Sequence, residues 1–342
     1  MRRSFGTSDA YSHNLNALGH EAVEVVPNCP QLQLAWARER GSHRVARMVG
    51  SLLRGRGASL LNRVHLQSVL EEQIQSYDPN VVYFQDLYFP TDALLERLRR
   101  QQRLIVGQIA SPAPPGKRLS AFDLLISSFP HFVSRFRSWG IDSEYLPLAF
   151  DERIPARLES SADPSSDRPH AVVFVGGIDP RVHRAGTRLL ERVAGVADLQ
   201  VWGYGADQLP SGSPLANHFR GEAWGLEMYL ILAHARIVLN RHIDVAQGYA
   251  NNMRLFEATG MGALLLTEAA PNLDRLFRPG SEVVAYKDDT DLIDAVGHYL
   301  ETDEELEVIA AAGQRRTLED HTYRRRIGEL AAILQARVSR RP

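Results

Sequence analysis

The sequence predicts an α/β protein of two domains, each with a parallel sheet covered by helices on both faces. Three observations carry this. Strand-length apolar runs alternate with helical segments along most of the 342 residues. The runs at 81–84 and 171–175 are apolar throughout, and those at 104–109 and 235–239 are interrupted only by Gln108 and Arg236 rather than alternating, as expected of strands buried on both faces. The alternation breaks once, at 156–169, where Ser, Asp, Pro and Arg dominate without an apolar period, as in a linker. The domains are therefore expected at 1–150 and 169–320, with a linker at 151–168.

Composition narrows the class. With 44% hydrophobic and 23% charged residues, each half has material for a core. A net charge of −2 gives no global field for nucleic acid, so no nucleic-acid partner is expected. The single cysteine, Cys29, excludes an internal disulfide, and no Cys/His cluster has zinc-ligand spacing, so no metal site is expected. No apolar run reaches the length of a membrane span, and the N-terminus lacks the apolar core of a signal peptide. A cytoplasmic protein is expected.

In order along the chain, Ser8 or Asp9 is placed to cap a helix over 10–18, and Gly19 stops it. Residues 21–26 alternate as a strand does. An α/β domain that opens on a helix is unusual, so its first strand is expected to be missing or replaced. Between Trp36 and Arg63 stand seven arginines and one acid, Glu39. This Arg-rich 38–63 segment reads either as a basic helical pair in weak contact with anionic lipid or an anionic acceptor, or as a solvated basic face on packed helices. Helices are predicted at 64–76, 91–102 and 132–139, and strands at 81–84, 104–109 and 122–128. Gln85, Asp86 and Asp123 fall at or beside strand ends, and His131 follows the strand at 122–128. Open α/β sheets place ligand-contacting groups at C-terminal strand ends, which makes His131 and Asp86 candidate acids or bases; Asp123 is a further candidate, and for each the alternative is a structural role. The second half reads as strand 171–175, helix 184–193, strand 199–202, helix 224–234, strand 235–239 and a final helix at 323–337.

The stretch 240–266 carries the most chemistry. Asn251 or Asn252 is positioned to cap a short helix, Gly260 and Gly262 end it, and residues 263–266 form a buried strand. Arg254 and Glu257 stand three apart on one helix face. A cation beside a helix N-terminus suits a phosphate, and a carboxylate one turn on can accept from two sugar hydroxyls. The alternative is a surface ion pair. Gly176-Gly177 follows a strand and precedes a helix, a turn through which backbone N–H groups approach a phosphate, or simply a turn. Without G-x-G-x-x-G spacing no dinucleotide site is expected, and neither a P-loop nor a G-x-S-x-G elbow is present. What distinguishes these residues is convergence. Gly176, Gly203, Asn240 and the helix starting near Asn252 all sit at C-terminal ends of predicted parallel strands.

The order of these residues resembles that of the CgeB-like glycosyltransferases. The C-terminal strings are Val173-Phe174-Val175-Gly176-Gly177, Trp202-Gly203-Tyr204-Gly205, Leu239-Asn240-Arg241-His242, Asn252-Met253-Arg254-Leu255-Phe256-Glu257-Ala258 and Leu265-Leu266-Thr267-Glu268. The first half is similar to that family through Val82-Tyr83-Phe84-Gln85-Asp86-Leu87 and Tyr145-Leu146-Pro147-Leu148-Ala149-Phe150. The resemblance implies two facing Rossmann-like domains, the GT-B architecture, and a C-terminal helix at 321–342 that crosses back to the first domain. It also implies sugar transfer from a nucleotide-diphosphate donor to an unknown acceptor (protein, glycan or small molecule), with retention and without a metal or other cofactor. The donor contacts implied are Gly176, Gly177, Asn240, His242, Asn252, Arg254 and Glu257. Glu257 would hold the ribose hydroxyls. Arg254 would offset the leaving diphosphate's charge, with His131 as a second candidate catalytic residue. Where the related pattern has its first glutamate, this chain has Tyr249. Two other functions fit the same outline: a nucleotide-sugar epimerase, and a non-catalytic nucleotide-sugar- or partner-binding protein.

Overall fold

The computed structural model describes residues 6–40, 59–159 and 168–340. Most of the Arg-rich 38–63 segment, including Arg44, Arg47, Arg54 and Arg56, lies outside the described residues. The chain forms two compact units: 1–18 with 147–328, and 19–146 with 329–342. Residues 1–18, with helix α1 (Ala10–Ala17), thus belong to the unit that carries most of the C-terminal half.

In the second of these units, α2 (Pro30–Glu39) and α3 (Ser59–Tyr77) precede a four-stranded sheet of order β1-β2-β3-β4. Its strands are β1 (Val81–Phe84), β2 (Leu104–Gln108), β3 (Leu124–Ser127) and β4 (Ser143–Tyr145), all parallel. Between them run α4 (Asp92–Arg100), the short α5 (Gly116–Leu119) and α6 (Pro130–Ser138). Thr91 caps α4 by accepting from the Leu94 N–H, and three arginines in its last turn face the helix's negative end. Residues 21–26 are not a strand, contrary to their alternation. Val23 and Val26 are exposed, and no ladder partner is provided for the segment, without which an extended chain has no reason to stay one.

The other unit carries α7 (Ile154–Glu159), β5 (His170–Gly177), α8 (Arg184–Ala194), β6 (Leu199–Tyr204), α9 (Leu215–His218), β7 (Phe219–Gly221), α10 (Leu226–Ala233), β8 (Ala235–Asn240), α11 (Arg254–Gly260), β9 (Leu264–Glu268) and β10 (Val284–Tyr286). Helices α12 (Asp289–Glu301), α13 (Asp303–Asp320) and α14 (Tyr323–Val338) follow, and α14 passes into the other unit at Glu329. Helix α7 occupies the start of the segment read as a linker and buries Ile154 and Leu158. The six strands are all parallel, in the order β10-β9-β8-β5-β6-β7. Strand pleating sends successive side chains to opposite faces. Val173, Val175, Val238 and Leu265 meet Met228, Leu232, Leu255 and Phe256 on one face. Val172, Val201, Ile237, Leu239 and Leu264 meet Leu189, Leu190, Val193, Leu292 and Ile309 on the other. This is the two-faced burial that the largely apolar runs predict.

Candidate donor site at the strand ends of the β5–β10 unit

The sheet order makes β8, β5 and β6 neighbours, so their C-terminal ends, at Asn240, Gly177 and Tyr204, lie side by side. Gly176 pairs with Gly203 and Gly177 with Tyr204 in the β5–β6 register. The two exits nest through backbone. A Cβ on Gly203, at φ +137°, would stand 1.9 Å from the Gly176 carbonyl oxygen, and one on Gly205 would stand 2.7 Å from the Asp179 amide nitrogen. Only glycine fits either place. A Cβ on Gly177 would fall between the His183 imidazole, at 2.7 Å, and the Tyr204 ring, at 3.0 Å.

Beside these strand ends sits the Arg254–Glu257 pair. The Arg254 guanidinium donates to the Glu257 carboxylate at 2.7 Å, and the two side chains are 14% and 5% exposed. Those values rule out the surface ion pair. Arg254 also donates to the Val175 carbonyl at 3.3 Å, immediately before Gly176, and its guanidinium lies 3.3 Å from the Met228 sulfur. Its Nε–H is buried without a partner. The other Glu257 oxygen accepts from the Tyr229 hydroxyl at 3.2 Å. Burial, and then the Glu257 carboxylate, hold the Tyr229 phenol well above its ordinary pKa, so it stays a donor. An ionic pair this deep is kept only where each charge is matched.

Asn252 caps α11 as its residue type predicts. Its Oδ1 accepts from the Leu255 N–H at 3.3 Å, while its Nδ2 donates to Asn240 Oδ1 at 2.7 Å and to the Arg241 carbonyl at 2.9 Å. Asn240 in turn donates to the Thr267 hydroxyl at 2.8 Å. Both amides therefore lock the β8 exit to α11 and β9. Gly260 is the last residue of the helix, but its glycine is not needed for the reversal. A Cβ there would meet the Phe150 ring at 2.6 Å, so close packing explains the residue, and Gly262, at φ +77°, makes the reversal.

The backbone N–H of His242 donates to the Glu268 carboxylate at 2.7 Å, and the His242 ring Nε2 lies 3.1 Å from the Glu268 carbonyl. The ring therefore donates from Nε2, and burial lowers its pKa, which keeps it neutral. Arg241 Nε donates to the same carboxylate at 2.9 Å, and its guanidinium passes over Gly186 in the first turn of α8. Tyr249 lies in the loop after β8, its N–H donating to the Ala246 carbonyl.

The candidates of the β1–β4 unit have structural duties. Asp86 Oδ1 accepts from the Tyr88 N–H at 2.8 Å and the Phe89 N–H at 3.2 Å, fixing the turn after β1. Asp123 Oδ2 accepts from the Ile105 N–H at 2.8 Å. His131, in the first turn of α6, packs its ring against Phe129 and Phe132, with centroids 5.2 and 4.9 Å away. Sequence reasoning misses Tyr229 and Glu268 as partners of the site. Nothing local marks Tyr229, 28 positions before Glu257, whereas Glu268 does stand at a strand's C-terminal end, the position at which polar residues meet ligands. Among the described residues, no three His, Cys, Asp or Glu side chains converge as a metal site.

No curated protein matches this chain. Among solved structures it is similar to sucrose-phosphate synthase from Thermosynechococcus elongatus, at 13% identity and TM-score 0.59, over 81% of this chain and 78% of that one. It is similar to HepE from Anabaena, solved in complex with UDP-glucose, at 13% identity and TM-score 0.59, over 78% and 82% of the two chains. A glycosyltransferase from Rickettsia africae gives 12% identity and TM-score 0.55 over 89% and 95%. Identities this low speak for the fold alone, and the fold is GT-B, with parallel sheets in two domains. Residues 182–332 match the family model described as "Glycosyl transferase-like". The segment with the Arg254–Glu257 pair, α11 and the β8 and β9 exits is therefore glycosyl transferase-like, within a chain of GT-B fold.

Proposed function

We propose that the protein is a glycosyltransferase that draws a sugar from a nucleoside-diphosphate donor held by the β5–β10 unit. The observation that carries this reading is the buried Arg254–Glu257 pair set against the Gly176-Gly177 end of β5. With no side chain at either position a diphosphate can approach the backbone there, and Arg254 brings a cation whose charge Glu257 matches until donor binds. As the sugar–phosphate bond breaks, negative charge grows on the diphosphate. Arg254 stabilises it without a metal, an interaction that strengthens in the transition state. Glu257, held by Tyr229 and Arg254, retains lone pairs for two ribose hydroxyls. The match over 182–332, and the presence of UDP-glucose in the HepE structure, support a nucleotide-sugar donor. We assign the chain to the CgeB-like branch on the strings quoted above, with retention of anomeric configuration and a cytoplasmic location as parts of the same reading.

Glu257→Ala is expected to weaken nucleotide-sugar binding by about 1.5–3 kcal/mol in calorimetry, the worth of hydrogen bonds to a charged group. Unchanged affinity would remove the ribose-holding role.

A further inference from the structure

The geometry points to a stacking platform for the donor's nucleobase, made by Tyr204 and Trp224; the inference rests on the nucleotide-donor reading. Two large aromatic rings, 48% and 41% exposed, stand nearly parallel here, with an interplanar angle of 8° and centroids 6.2 Å apart. A single exposed aromatic needs no explanation, but a stacked exposed pair leaves a broad apolar face in water. The pair is also held in place. The Trp224 indole N–H donates to the Glu222 carboxylate at 2.9 Å, and Tyr204 is the last residue of β6, hydrogen-bonded through its carbonyl to the Ile178 N–H at 3.0 Å.

Its place in the fold identifies the occupant. Tyr204 pairs in register with Gly177, and its ring edge lies 3.0 Å from where a Gly177 Cβ would be. Val175, two residues back along β5, accepts the Arg254 hydrogen bond. Trp224 stands two residues before α10, whose Met228 touches Arg254 and whose Tyr229 touches Glu257. The aromatic pair and the charged pair thus meet the same strand end, at Gly177 and at Val175. These positions are two strand residues, about 7 Å, apart, the scale of a ribose between a base and a diphosphate. A nucleoside diphosphate laid over the end of β5, phosphates toward Arg254, brings its base to the rings. Any base has a π-face to stack, so the platform supplies affinity, whichever base is used.

The test is calorimetry of the full chain with UDP, GDP, ADP and dTDP, and with inorganic pyrophosphate as a probe that has no base. One or more of the nucleoside diphosphates should bind wild type. Trp224→Ala and Tyr204→Ala should each weaken that binding by roughly 5- to 150-fold while leaving pyrophosphate affinity within about twofold, and Trp224→Phe should restore most of the loss. Both rings are half exposed, so thermal melts of the variants should match wild type. Nucleoside diphosphate binding that is unchanged in both alanine variants, or that falls together with pyrophosphate binding, would overturn the platform and leave the donor reading standing. No binding of any nucleoside diphosphate by wild type would overturn the donor reading and the platform with it.

Discussion

Arg254→Ala is expected to lower turnover by roughly 10²–10³-fold, the loss found when one preorganised charge-stabilising donor is removed, with a much smaller change in donor affinity. The same substitution strips Glu257 of its cation in a site where that carboxylate is 5% exposed. Tyr229 alone then faces the charge, so unfolding stability should fall by roughly 3–5 kcal/mol, read as a lower urea midpoint. The two effects separate in a double variant. Arg254→Met with Glu257→Leu removes both charges and should recover most of the stability without recovering turnover, because a buried ion pair and an apolar pair of similar volume are close in free energy. A single Arg254→Ala variant with an unchanged midpoint would contradict the burial of the pair. Equal falls in turnover and affinity would assign Arg254 to ground-state binding only.

Gly203→Ala is the second large effect expected. The new methyl group would meet the Gly176 carbonyl oxygen at 1.9 Å, and φ +137° disfavours any side chain. Relief requires either the end of β5 or the β6 exit to move, at a cost of roughly 2–5 kcal/mol, and donor affinity should fall with it. Gly212 provides the comparison. It also has positive φ, at +84°, but nothing within 4 Å of a Cβ, so Gly212→Ala should cost only the backbone term of about 1–2 kcal/mol and leave the donor site intact. Equal losses at both positions would mean that the β5–β6 nesting does not matter.

The parts of the site that were legible in the sequence are those governed by local rules. Arg254 and Glu257 had to share a face because of helical geometry, Asn252 had to be near a helix start, and the largely apolar runs at β5 and β8 had to lie between two helical layers. Burial of the pair was not legible. It depends on Tyr229 and Met228 from α10, brought to Arg254 and Glu257 by tertiary packing that leaves no mark on spacing. Gly260 illustrates the same limit: it does stand at the helix end, but the reason for glycine there is the Phe150 ring packed against it, which spacing does not reveal. At 21–26 the alternation was real, but pairing is a property of neighbours and not of the segment. Strands β7 and β10 have three residues each, too few for any periodicity to register.

The central claim is that this chain breaks a sugar–diphosphate bond. Incubation of the purified protein with a panel of nucleotide sugars, followed by separation of nucleotides and sugars, tests it most directly. Slow release of free nucleoside diphosphate from at least one donor is expected even without acceptor, with loss of that release in Arg254→Ala. Isomerisation of the sugar with the nucleotide still attached would make the protein an epimerase, and tight binding without any turnover would make it a binding protein; either result would contradict the account.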